Sequence, residues 1–162
     1  MATLSVLKFE TADGADKALE TVKELQTQNL IQLHDAAIVT WPVGTRRPKT
    51  HQLVSMAGAG ALSGAFWGML FGLIFFVPFL GMAVGAAMGA MFSGFRDYGI
   101  SEGFVKDIRA KITQGTSALF LLTSNAVQDK VIEAFKQLPR FELVSTNLSK
   151  EEEQKLRDAF GE

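Results

Sequence analysis

Apolar positions recur along this chain with three different periods, and each period predicts a different element. Residues 3–9 (Thr-Leu-Ser-Val-Leu-Lys-Phe) are apolar and β-branched, which predicts a strand. After Asp13, a residue suited to capping a helix, Ala15, Ala18, Leu19, Val22 and Leu25 return at helical spacing on one face. A second short strand is expected over residues 36–41, ended by Pro42-Val43-Gly44, with residues 46–52 as a polar linker. Much later, Ser101 caps a helix whose Phe104, Ile108 and Ile112 share a face, and Gly115 stops it. Residues 116–123 are almost continuously apolar, the pattern of a central strand covered on both sides. Ser124 or Asn125 opens the next helix, with Val127, Val131, Ala134, Phe135 and Leu138 turned inward and Pro139 as its end. Residues 141–148 predict a fourth strand. Ser149 with Glu152 then forms a capping box before a highly charged, solvent-facing terminal helix.

The third period belongs to residues 53–95, which hold 43 consecutive positions without Asp, Glu, Lys, Arg or His. Pro78 interrupts this block once. Proline removes a backbone donor and glycine tolerates unusual dihedrals, so Pro78 with Gly81 reads as the turn of a helical hairpin. At 1.5 Å per residue the two arms would be roughly 36 and 25 Å long, against a hydrocarbon core of about 30 Å. Leu, Ile, Phe and Val number 11 in residues 53–77 but 5 in 79–95, so the first arm drives insertion and the second follows it. Gly60, Gly64, Gly68 and Gly72 repeat every fourth position, as do Gly81, Gly85 and Gly89. Each glycine inside a helix costs about 1 kcal/mol against Ala, and close approach of packed helices is the compensating gain. These seven residues are the candidate helix-packing and oligomerisation positions.

The order of elements is strand, helix, strand, hairpin, helix, strand, helix, strand, helix. Without the insertion this is a split βαβ pattern. The expected class is therefore α+β: a ferredoxin-like α/β sandwich with an apolar helical hairpin inserted between strands 2 and 3. Residues 1–52 and 96–162 would form the α/β domain, and residues 53–95 a glycine-zipper transmembrane hairpin.

Charge and composition narrow the setting. The net charge is −1, so no global field favours nucleic acid. There is no Cys, which excludes disulfides and thiolate chemistry. The first residues lack the basic-then-apolar pattern of a signal peptide. Arg46, Arg47 and Lys49 precede the apolar block and Arg96 follows it, an excess that places both ends of a hairpin on the cytoplasmic side. Trp41 and Tyr98 flank the block where interfacial aromatics would lie, and with those four cations they form the expected membrane-surface set.

The segment 60–81 (Gly-Ala-Leu-Ser-Gly-Ala-Phe-Trp-Gly-Met-Leu-Phe-Gly-Leu-Ile-Phe-Phe-Val-Pro-Phe-Leu-Gly) resembles the central hairpin of a bacterial family of uncharacterised membrane proteins, a domain of unknown function. Asp97-Tyr98-Gly99-Ile100, residues 115–122 and residues 148–160 are similar to that family's other segments. The resemblance implies a bacterial protein of this architecture and supplies no activity.

Candidate chemistry is sparse. His34 and His51 have no Cys to complete a metal site, and neither HExxH, DxD nor GxSxG occurs. The glycine spacing is not GxGxxG, so nucleotide binding has no support. Glu151, Glu152 and Glu153 are adjacent and cannot all share one helix face. Asp97 and Tyr98 sit at the exit of the apolar block, where a junction of caps and ion pairs or a headgroup contact is expected. The expectation is a non-enzymatic protein of the bacterial inner membrane with both termini cytoplasmic, no cofactor, and the lipid bilayer and its own copies as partners. It would serve in scaffolding, membrane remodelling or a stress response. Two alternatives stand beside it: a soluble homo-oligomeric particle that buries its hairpins in a shared core, and a small-ligand sensor domain.

Overall fold

The structure is a computed structural model and describes residues 3–46, 48–52, 67, 70–76, 100, 102–138 and 140–160. Its centre is a five-stranded antiparallel sheet of order β3-β2-β4-β1-β5. The strands are β1 (Thr3–Phe9), β2 (Gln32–Thr40), β3 (Lys49–Gln52), β4 (Ser117–Ser124) and β5 (Phe141–Thr146). Among the described residues there are four α-helices: α1 (Gly14–Thr27), α2 (Glu102–Lys111), α3 (Gln128–Phe135) and α4 (Lys150–Ala159). Trp67, Leu70 and Phe71 are also helical and lead into a π-helical stretch, Gly72–Phe76. The fold class is mixed α+β, as the periodicity predicts.

The strongest patterns produce their elements closely. β1 has the expected bounds, and α1 buries Ala15, Ala18, Leu19, Val22 and Leu25. Gly14 lets α1 start hard against β1, because a Cβ there would stand 2.5 Å from Phe9 Cβ. β4 is buried at every position but its last, consistent with its central place in the sheet. α2 buries Phe104 and Ile108, followed by Ile112. Ser149 caps α4 by accepting a hydrogen bond from Glu152 N, and α4 buries none of its residues.

Several expectations are corrected. The polar linker is in part a strand: Lys49–Gln52 pairs with β2 from Thr40↔Lys49 to Ala37↔Gln52. Its polar side chains suit an exposed sheet edge, which resists further pairing when charged. β2 begins at Gln32 rather than 36, because Gln32, His34 and Asp35 hide the apolar alternation while still pairing with β4. The helix expected from Ser124 or Asn125 begins later, since β4 runs through Ser124 and Asn125 turns with φ +51°. Val127 consequently lies before α3 in extended backbone and is 43% exposed rather than inward. Asp13 occupies the N-cap position of α1 without a side-chain cap bond. A hydrogen bond with Thr11 and the nearby Lys17 ammonium hold its carboxyl below the usual carboxylate value. Ser101 and Pro139, expected as a cap and a stop, lie outside the described residues.

Two buried clusters sit on opposite faces of the sheet. One joins Leu7, Phe9, Leu119 and Leu143 to the inward faces of α1 and α3, with Leu156 and Phe160 packed against its edge. The other joins Leu4, Val6, Ala37, Phe120 and Leu122 to Phe104, Ile108 and Ile112. That second cluster also contains Trp67, Leu70, Phe71, Ile74 and Phe75 from the apolar run. Phe120 is its hub: its ring stands edge-on to Trp67 at 6.2 Å and to Phe71 at 5.1 Å. Among the described residues, no helix is long and apolar enough to cross a membrane.

Truncating Phe120→Ala should cost about 3–5 kcal/mol of stability, the usual loss for a buried Phe, read as a fall in the denaturant midpoint. Val43→Ser, at a position 81% exposed, should change it by less than about 0.5 kcal/mol.

Candidate functional site

The described part of the apolar run is seated on the sheet, and one polar contact fixes the seat. Asp35 lies in β2 beside a register shift against β4, between Leu33 and Asp35. A bulge of this kind re-aims a side chain. Asp35 is 1% exposed, a depth at which a carboxylate requires hydrogen-bond donors. Its Oδ1 accepts from Ala36 N at 2.9 Å, and its Oδ2 accepts from Trp67 Nε1 at 2.8 Å. Trp67 is itself 2% exposed and stacks on Phe71 at 5.6 Å. An indole donates a single hydrogen bond, so this contact specifies both position and orientation of the helical turn that carries Trp67.

The far end of the seat is held differently. Arg109 Nε donates to Ile74 O at 3.0 Å, inside the π-helical stretch. A π-helical turn departs from the regular i→i−4 ladder, and a charged donor from α2 meets its carbonyl. Phe75 meets Trp41 edge-on at 6.2 Å. Trp41 is partly buried against the same cluster, and its Nε1 donates to Thr45 O at 3.0 Å.

A second polar group gathers at the end of β2 and β4. His34 Nε2 and Ser124 Oγ share a hydrogen bond of 2.7 Å, Ser124 Oγ also reaches Gln32 Oε1 at 3.3 Å, and Asn125 Nδ2 donates to Gln32 Oε1 at 3.0 Å. A serine beside an imidazole is the first half of a nucleophile–base arrangement. These bonds clasp the start of β2 to the end of β4. No three His, Asp or Glu side chains among the described residues could hold a metal ion together.

The expected site residues divide sharply. Gly60, Gly64, Gly68, Gly81, Gly85, Gly89, the Pro78 turn, Arg47, Arg96, Asp97 and Tyr98 lie outside the described residues. Gly72 is partly buried, and among the described residues nothing lies within 4 Å of where its Cβ would be. Arg46 is exposed after the Pro42-to-Thr45 turn, Lys49 is exposed at the start of β3, and His51 is exposed in the same strand. Asp35, Arg109 and the His34–Ser124 clasp were not singled out as site residues in the sequence. Asp35 carried one usable signal, a carboxylate placed directly before the short strand expected over residues 36–41.

A family model described as a protein of unknown function (DUF1269) matches residues 61–161. The chain belongs to the DUF1269 family. No curated protein and no solved structure matches it. In this DUF1269 chain the matched stretch contains Trp67, Phe71, Arg109 and Phe120, whereas Asp35 and the first three strands precede it. The seat is thus formed between the matched stretch and what comes before it.

The Asp35–Trp67 contact predicts coupled losses. Trp67→Phe and Asp35→Leu should each cost about 1–3 kcal/mol, the usual penalty for breaking a buried polar pair. The double variant should lose less than their sum by at least about 0.5 kcal/mol in chemical denaturation. Strict additivity would remove the hydrogen bond from any part in holding the seat.

Proposed function

We propose that this chain is a non-enzymatic, membrane-associated protein that self-assembles through its glycine-bearing apolar run, in a scaffolding, membrane-remodelling or stress-related role. The observation that carries the reading is the uncharged run of residues 53–95 with its glycine rows. Its described part lends one face to the sheet and leaves Gly72 clear of described neighbours. Small residues at period four let helices approach closely, which is how helices associate where hydrophobic burial supplies no difference between partners and lipid.

In this reading the domain is ferredoxin-like. With the short edge strand β3 set aside, the order β2-β4-β1-β5 with every neighbour antiparallel supports that topology. The apolar run then enters after β3 and returns at α2 as an inserted hairpin. The exposed Val43, Arg46 and Lys49 lie near the Trp41–Phe75 contact, a grouping suited to an interfacial edge on the cytoplasmic side of a bacterial inner membrane.

A soluble particle is the second reading, and one observation favours it. Trp67, Leu70, Phe71, Ile74 and Phe75 are buried on the sheet, so that part of the run is hidden from water without lipid. Sister copies could hide the remainder.

Gly72→Leu should leave the fold intact, since no described atom obstructs the side chain, while Gly64→Leu, Gly72→Leu and Gly85→Leu should each collapse the crosslinked oligomer to monomer. Unchanged crosslinked size in all three would overturn assembly through the glycines. Carbonate-washed membranes should retain the protein. Recovery from cytosol without detergent, as one large uniform species, would replace the membrane reading with the particle.

A further inference from the structure

On the face of the sheet away from the apolar run, a cavity of about 220 Å³ opens between β1, β4, α3 and α4. Seventeen described residues line it, and none of them is Asp, Glu, Lys, Arg or His. The lining is graded. Thr3 and Thr123 are directly paired at one end, with Ser124 beside them, while Leu7 and Leu143 are paired four residues farther along β1. At about 3.3 Å per residue the polar and apolar ends lie roughly 13 Å apart. Thr123 is only 8% exposed and lines the polar end of the cavity.

We propose that this cavity binds a small neutral amphiphile: a single medium-length alkyl chain lying along Leu7 and Leu143, with an uncharged hydroxyl-type head hydrogen-bonded to Thr123. The chemistry selects this class in three steps. An apolar lining with a few convergent polar groups is the usual form of a small-molecule site. A charged head would be desolvated with no lining residue of opposite charge to compensate it. The volume is below the usual range for drug-sized ligands, which excludes a two-chain lipid. The site lies on the opposite face from the seat of Trp67, so it does not rest on the membrane reading.

The test is a titration of the full chain, methyl-labelled at Ile, Leu and Val, with octanol and separately with octanoate. The protein is held in zwitterionic lipid nanodiscs, or in plain buffer if fractionation finds a soluble particle, so failure of either setting is distinguishable from failure of the site. Octanol should give saturable shifts at Val131, Leu121 and Leu143, with Leu4, Val105 and Ile108 on the other face unmoved. Octanoate should bind at least about tenfold more weakly. Thr123→Val should weaken octanol by about 3–10-fold. Ala126→Trp at the exposed rim, or Val131→Phe if the first variant fails to fold, should abolish the shifts. Equal shifts on both faces, octanoate binding as tightly as octanol, or unchanged binding in the filled variants would each overturn the proposal. So would intermolecular contacts to the groove methyls in the free protein, which would make a second copy the occupant.

Discussion

Phe120 stands at the point on which the rest of the structure depends, because the sheet has two apolar faces and both must be covered. α1 and α3 cover one of them. On the other, α2 supplies Phe104, Ile108 and Ile112, and the apolar run supplies Trp67, Leu70, Phe71, Ile74 and Phe75. Fully burying a large apolar side chain contributes about 1.5–3 kcal/mol, so the five residues of the run outweigh any single polar contact there. Burial is non-directional, however, and would tolerate several placements of a helix. The Asp35–Trp67 hydrogen bond and the Arg109 contact with the Ile74 carbonyl select one of them.

This arrangement changes how the uncharged run is understood. The side chains that fill the second face cannot at the same moment face lipid. A bilayer-spanning state would have to give up the seat or place only other parts of the run in the hydrocarbon. In either case the seat and the membrane draw on the same apolar surface. At Gly72, no described atom lies within 4 Å of where a side chain would start. In the proposed assembly, small residues repeated at this spacing would let copies pack closely, in lipid or in a closed particle.

How much of this was legible in the sequence follows from how local each signal is. β1, α1, β4 and the cap of α4 were readable because the determining pattern lies within the element: alternation, helical spacing, a continuous apolar stretch, a serine three residues before a glutamate. β3 was not, because Lys-Thr-His-Gln has no apolar face and is a strand only through its pairing with β2. The early start of β2 was hidden for the same reason. Val127 was misplaced because a one-turn shift in the start of α3, forced by the left-handed Asn125, moves it off the buried face. The seat was invisible because its two halves, Asp35 and Trp67, are 32 positions apart and each looks ordinary alone.

Asp35 then bears on whether the domain and the apolar run are separable. In β2 it is flanked by Leu33, Ala36, Ala37, Ile38 and Val39, all buried, and a carboxylate there is costly unless donors reach it. One donor comes from the neighbouring backbone and another from Trp67, inside the run. The same strand therefore shares its polar group with the run, as Phe120 shares its apolar cover with it. A sheet built to carry an independent anchor would have no reason to place a buried carboxylate beneath it. Departures from local consistency of this kind concentrate where a protein does its work. Here the departure points to the docking of the run on the sheet as the event around which the chain is built.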